Sequence, residues 1–180
     1  AQDRLFWDEQ DAGWFNTTGE DASVLLRLKE EYDGAEPAAS SVAVRNLLDL
    51  THLDPDPVHL AHLERTLARF GGRIAETARA VPLMLANLAA WHAGLTQIVV
   101  VGPPDRDDTR ALHAVVAARY LPFSIVLPIA PGPAQDALAA ELPWVAPMTM
   151  VDGRATAYVC RQFTCDQPVT TPEALVAVLN

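Results

Sequence analysis

Thr96–Gly102, TQIVVVG, is the stretch whose reading decides the fold. Its β-branched run shows no polar alternation, which marks a strand buried on both faces. Such a strand belongs inside a sheet with helices on either side. The residues that follow keep to that plan. Asp105 to Tyr120 reads as a helix with Leu112, Val115 and Val116 on its apolar side. FSIVLPIA, 123–130, reads as a second strand and Ala134 to Glu141 as a short helix. ATAYVC, 155–160, is a third strand, and Pro172 to Leu179 a last helix. This β-α-β-α-β-α order predicts an α/β domain over 95–180, built on a small three-stranded parallel sheet with right-handed crossovers. WVAPMTM, 144–150, is a candidate fourth strand that Pro147 confines to an edge or a bulge.

Upstream of Thr96 the period is helical. Val42, Leu47, Leu50 and Leu53 suit one face of a helix that Ser40 or Ser41 can cap. The DPDP of 54–57 stops it. From Pro57 a second helix carries Leu60, Leu63, Leu67 and Phe70 in one stripe, and Gly71-Gly72 ends it. Ile74 to Ala80 reads as a short helix. Pro82 opens another, with Met84, Leu88 and Trp91 inward. Short turns between these helices predict antiparallel α-hairpins. Before them, the aromatic piece around Trp14 and SVLLRLK, 23–29, suit the two arms of a short β-hairpin. The domain division is thus 1–94 and 95–180.

Composition excludes several classes of function. A net charge of -10 over 180 residues argues against a nucleic-acid backbone or an anionic membrane as partner. No apolar run reaches the ~18 residues that span a bilayer. Two cysteines are too few for a disulfide scaffold, so a reducing cytoplasm fits best. Lys29 is the sole lysine beside many arginines and alanines, a bacterial coding bias. The opening AQDRLFWDEQ reads as the end of a helix under way, so the chain is expected to be a piece of something longer.

Chemistry-bearing residues gather in few places. Cys160 and Cys165 lie at a strand end, where three readings stand open: small buried thiols, a redox disulfide, or half a metal site. Arg161 beside them favours a thiolate. The loop after the first strand, GPPDRDDT, 102–109, caps a helix or meets a ligand, but lacks the G-x-G-x-x-G of a dinucleotide site. No cofactor is called for. His59 and His62, three apart on a helix, read as a solvated flank rather than a metal pair. In KEEYDGAEPAASS, 29–41, several carboxylates surround Tyr32. That clustering suits acid–base work on sugars, or a turn and helix start.

That same loop carries a resemblance. KEEYDGAEPAASSVAVRNLLDL (29–50), FWDEQDAGWFNT (6–17), IVVVGPPDRDDTRAL (98–112) and AYVCRQFTCDQPVTTPEAL (157–175) together resemble a family of thioredoxin-domain-containing proteins, the spermatogenesis-associated protein 20-like family. The resemblance implies a longer parent, with a thioredoxin-like domain followed by an (α/α)6 toroid similar to sugar epimerases and six-hairpin glycosidases. This chain then corresponds to the last hairpins of the toroid plus an α/β tail. By that resemblance Lys29, Tyr32, Asp33, Glu36 and Ser41 are ligand-binding candidates at the rim of a sugar-like cavity. The family's thioredoxin cysteines do not carry over to Cys160 and Cys165. Ala38, Ala39 and Ser40 stand where the family usually has Ser-Gly-Asn, which removes an amide contact. The expected function is a contribution to a carbohydrate-like ligand cavity, not catalysis alone. The alternatives are a redox module using Cys160 and Cys165, or a structural role. Expected partners are the remainder of the parent or a second copy, with a sugar-like small molecule.

Overall fold

The computed structural model describes residues 1–180, which divide into two units, Ala1–Ala93 and Gly94–Asn180.

The first unit holds α1 (Gln2–Phe6), α2 (Ala39–Leu53), α3 (Pro57–Thr77) and α4 (Pro82–Ala93). α3 starts where Asp56 accepts from the Val58 amide and Pro57 fills the first helical position. α2, α3 and α4 pack on one another around Val44, Leu47 and Leu48, Leu63, Leu67 and Phe70, and Met84 and Ala90. Each of these side chains larger than alanine contributes about 1.5–3 kcal/mol by leaving water.

Several expectations are corrected here. Val42 and Leu50 are exposed, while Ser40, Ser41, Ala43 and Thr51 join the buried face of α2. Neither serine caps that helix; the N-cap position is Ala38. Hydroxyls that bond within their own helix can be buried cheaply, as Thr51 does to Leu48 O, so the apolar stripe alone misplaces the face. α3 runs through Gly71-Gly72 to Thr77, because neither glycine takes the left-handed conformation that would end it. The β-hairpin over 14–29 does not form. Arg27 instead donates to Leu5 O and Thr17 O, and Leu25, Leu26 and Leu28 stand exposed.

The second unit is a mixed sheet of order β2-β1-β3-β4, with β1 Thr96–Val101, β2 Ser124–Ile129, β3 Thr156–Arg161 and β4 Thr164–Cys165. Its helices are α5 (Asp107–Ala117), α6 (Pro133–Glu141) and α7 (Pro172–Leu179). β1 is buried on both faces, as its composition requires. Ile98 and Val100 pack with Leu112, Val116 and Leu175 on one side; Val99 and Val101 pack with Ile129, Val145 and Met148 on the other.

The expected three parallel strands are therefore four, of mixed direction. β1 and β2 are parallel through the α5 crossover, but β3 runs antiparallel to β1. A reversal at Val151–Arg154, with Asp152 (φ 50) and Gly153 (φ 68) both left-handed, feeds β3 in from the opposite end. Residues 144–150 make no strand; Pro143–Val145 form a 3-10 turn. β2 is the edge. Phe123 O and Ile129 O accept from β1 and from the residue after it, so by alternation Ser124, Val126 and Pro128 turn their backbones outward. Pro128 has no N–H to offer there.

Candidate functional site

The loop 29–41 is held by its own polar groups. Lys29 Nζ lies 2.8 Å from Asp8 Oδ2 and 3.1 Å from Asp11 Oδ2, and donates to Ala12 O. The Lys29 hydrogen bond, more than any other cause, holds the Asp8 carboxyl below the usual carboxylate range. Glu31 receives Arg69 of α3, with Arg73 nearby.

Asp33 is buried, and its carboxylate is fully engaged. Oδ1 accepts from the Ala38 amide ahead of α2; Oδ2 accepts from the Leu83 and Met84 amides in the first turn of α4. One side chain thus satisfies orphan donors at two helix starts, one of them fifty residues away from it in sequence. The Asp33 N–H also donates to Ala80 O. Ser40 Oγ accepts from the Trp14 amide, and Ser41 is buried, its backbone carbonyl receiving Asn87 Nδ2. Of the five ligand candidates in this loop, Tyr32 and Glu36 are exposed; Lys29, Asp33 and Ser41 direct their polar groups inward. Tyr32 lies over Gly34, where a Cβ would meet Tyr32 Cε1 at 2.8 Å.

Beside this loop opens a cleft of about 390 Å³. Phe6, Trp14 and Phe15 form its apolar wall; Gln2, Asn16 and Glu30 bring polar groups; Pro37 closes one side. Phe15 is fixed by the Arg27 guanidinium, 4.0 Å from the ring centroid. Asn16 Oδ1 accepts from the Glu30 amide, which ties the two polar residues together. Aromatic faces next to amide and carboxylate groups suit a small polyhydroxylated molecule. Sequence reading missed Phe6, Phe15 and Asn16 as lining, because they come together only through the irregular 1–30 segment. The aromatic spacing was the available signal.

Below the cleft, His62 is buried rather than solvated. Its ring stacks on Trp7 with centroids 3.9 Å apart, Trp7 meets Trp14 edge-on, and Asp3 accepts from Trp14 Nε1. The i, i+3 spacing placed His62 beside the apolar stripe, and the Trp7 ring extends that stripe over it. His59 lies outside this stack.

In the second unit, Cys160 and Cys165 form a disulfide across the β3–β4 hairpin, directly opposite one another in register. Cys160 is 2% exposed, whereas Cys165 lies in the exposed run 161–168. Arg161 is engaged by other groups: it pairs with Asp166 at 2.7 Å and donates to Val178 O at the end of α7. The GPPDRDDT loop is tied down by its own side chains and by the turn at 153–155. Asp108 accepts from Arg106, the Thr109 amide and the Ala155 amide, and the Ala155 bond above all keeps its carboxyl below the ordinary range. No group of three or more His, Cys, Asp or Glu side chains is arranged to hold a metal. No helix is long and apolar enough to cross a membrane.

The whole chain is similar to spermatogenesis-associated protein 20. It is 36% identical over 181 residues to the human protein and 35% to that of the mouse, in each case covering 100% of this chain and 23% of the relative. An uncharacterised Caenorhabditis elegans protein is 28% identical over 179 residues, 99% of this chain and 24% of its own length. The chain thus spans about a quarter of the length of the relatives it matches. No family model and no solved structure matches it.

Proposed function

With homology to spermatogenesis-associated protein 20-like proteins along its full length as the premise, we propose that this chain is the carboxyl-terminal portion of such a protein. In this reading residues 1–93 supply the last α-hairpins of a helical toroid in a thioredoxin-domain-containing parent of bacterial origin. The toroid encloses a cavity for a carbohydrate-like ligand, and the chain contributes binding groups to it without completing a catalytic site.

One observation carries the reading: the cleft of Phe6, Phe15, Asn16 and Glu30 against the Glu30–Pro37 loop. It pairs apolar ring surface with amide and carboxylate groups, the two things a sugar needs. Glu30 is the carboxylate that lines the cleft and it is exposed, so it is the first choice for contact to a hydroxyl; Tyr32 and Glu36 are exposed on the same loop. Lys29, Asp33 and Ser41 support the loop from beneath. A second support is uncovered apolar surface on the helices. Val42, Leu50, Val58, Leu60 and Leu85 are each at least 38% exposed, which suits packing against further helices of the parent or a second copy.

The test is ligand-observed NMR on the full-length parent with a panel of aldohexoses and N-acetylhexosamines. Saturation transfer to at least one sugar, lost in Glu30→Gln at unchanged melting temperature, is expected. No transfer from any sugar, or transfer indifferent to Glu30→Gln, removes the cleft as a ligand site.

A further inference from the structure

The hairpin tip of the second unit adopts a turn its sequence does not favour. β3 and β4 pair Cys160 with Cys165 and Arg161 with Thr164, which leaves Gln162 and Phe163 as the two central residues. Both are left-handed, at φ 50 and φ 61. Two-residue turns of this kind normally take Asn-Gly or Gly-Gly, because a Cβ crowds the backbone in that conformation. Gln-Phe supplies no such tolerance, and β4 is only two residues long. The covalent bond between Cys160 and Cys165 closes the tip, beside the Asp166 N–H to Val159 O bond and the Arg161–Asp166 pair.

The two cysteine residues are unequally exposed. Cys165 is exposed, whereas Cys160 sits in the core cluster with Val99, Val101 and Met148.

We propose that the Cys160–Cys165 bridge is a reversible redox site, opened by a protein dithiol of the Cys-Xaa-Xaa-Cys class that attacks the sulfur of Cys165. The attacking thiolate forms a bond to Cys165 Sγ, and the Cys160–Cys165 bond breaks. Cys160 leaves with the electron pair and takes a proton, burial favouring its neutral thiol. The second thiol of the partner, as thiolate, then attacks its own sulfur in the mixed disulfide and releases Cys165. The partner is oxidised by two electrons and the bridge is reduced by two. Freed of the bond, Gln162 and Phe163 leave the left-handed region. The Arg161 contacts to Asp166 and to Val178 O carry the change to the end of α7. This inference rests on residues 94–180 alone and stands or falls apart from the sugar cleft.

The experiment uses the full chain purified without reductant. A Cys-Xaa-Xaa-Cys protein with its second cysteine changed to Ser is the trap, and dithiothreitol is the chemical reductant. Expected are no alkylatable thiols at the outset, a mixed disulfide mapped to Cys165, and two alkylatable thiols after dithiothreitol under native conditions. Amide exchange at Gln162–Cys165 is expected to quicken about tenfold on reduction while β1 stays protected. In Q162N/F163G, whose tip tolerates the turn, that acceleration should largely vanish. Free thiols at the outset, reduction only after denaturation, a trap on Cys160, or equal acceleration in the Asn-Gly variant would each overturn the proposal.

Discussion

Asp33→Ala removes a side chain that three backbone amides share, those of Ala38, Leu83 and Met84. A helix cap contributes about 1 kcal/mol, and a hydrogen bond to a charged group about 1.5–3 kcal/mol. Two helix starts lose their acceptor at once, and water reaches only part of the site, since Asp33 is 7% exposed. The expected cost is about 3 kcal/mol, from a total stability of about 5–15 kcal/mol. With a urea m-value of about 2 kcal/mol/M, the unfolding midpoint of the first unit falls by about 1.5 M. Tryptophan fluorescence in a Trp144→Phe background follows that unit through Trp7, Trp14 and Trp91. Amide exchange adds the local view: Leu83 and Met84 should lose protection before the middle of α4. Asp33→Asn keeps one acceptor oxygen but turns an NH₂ toward an N–H, so its midpoint belongs between the other two. An unmoved midpoint together with protected Leu83 and Met84 amides in Asp33→Ala would refute the reasoning.

Lys29→Met should cost about 3 kcal/mol, since it strands Asp8 in a pair whose side chains are only 10% and 14% exposed. The pH dependence follows from the same contact. A carboxyl depressed in the fold stabilises it above the unfolded pKa of about 4, and the contribution fades as pH falls through the folded value. The first unit should therefore weaken below about pH 4, and Lys29→Met should show a flatter acid slope; parallel slopes for the two proteins count against the pairing. Gly102→Ala drives a Cβ into Thr109 Oγ1 and to 3.0 Å from the Cβ of Ala155, so about 1–3 kcal/mol should be lost in thermal unfolding of the second unit. Cys160→Ala/Cys165→Ala opens a loop of sequence separation 5, which predicts a loss of about 2 kcal/mol, visible in urea melts of the oxidised protein.

β1 was legible because its environment is uniform: two apolar faces demand one unbroken apolar run. The direction of β3 was not, since strand direction is set by the connection before it. The local cue was Asp152-Gly153, a pair suited to left-handed turns. β4 has two residues and no pattern to read. α2 was found with its face turned, because Ser40, Ser41 and Thr51 are buried where hydropathy points outward. The double glycine of α3 looked like a stop, yet glycine only permits one. The candidate loop was found from residue types, but the division of labour within it was not. That Asp33 serves α4 depends on a partner fifty residues away, and no local window contains both. The cleft residues come from four separated stretches for the same reason.

The outward edge of β2 has a consequence for how this protein behaves when crowded. A neighbouring extended peptide seeking to extend the sheet would find donors at Ser124 and Val126, then a pyrrolidine ring at Pro128. Recruitment of foreign strands stalls after one repeat, so fibrillar stacking has no template on that margin. Along this margin association is left to side-chain surfaces, where specificity can be selected residue by residue.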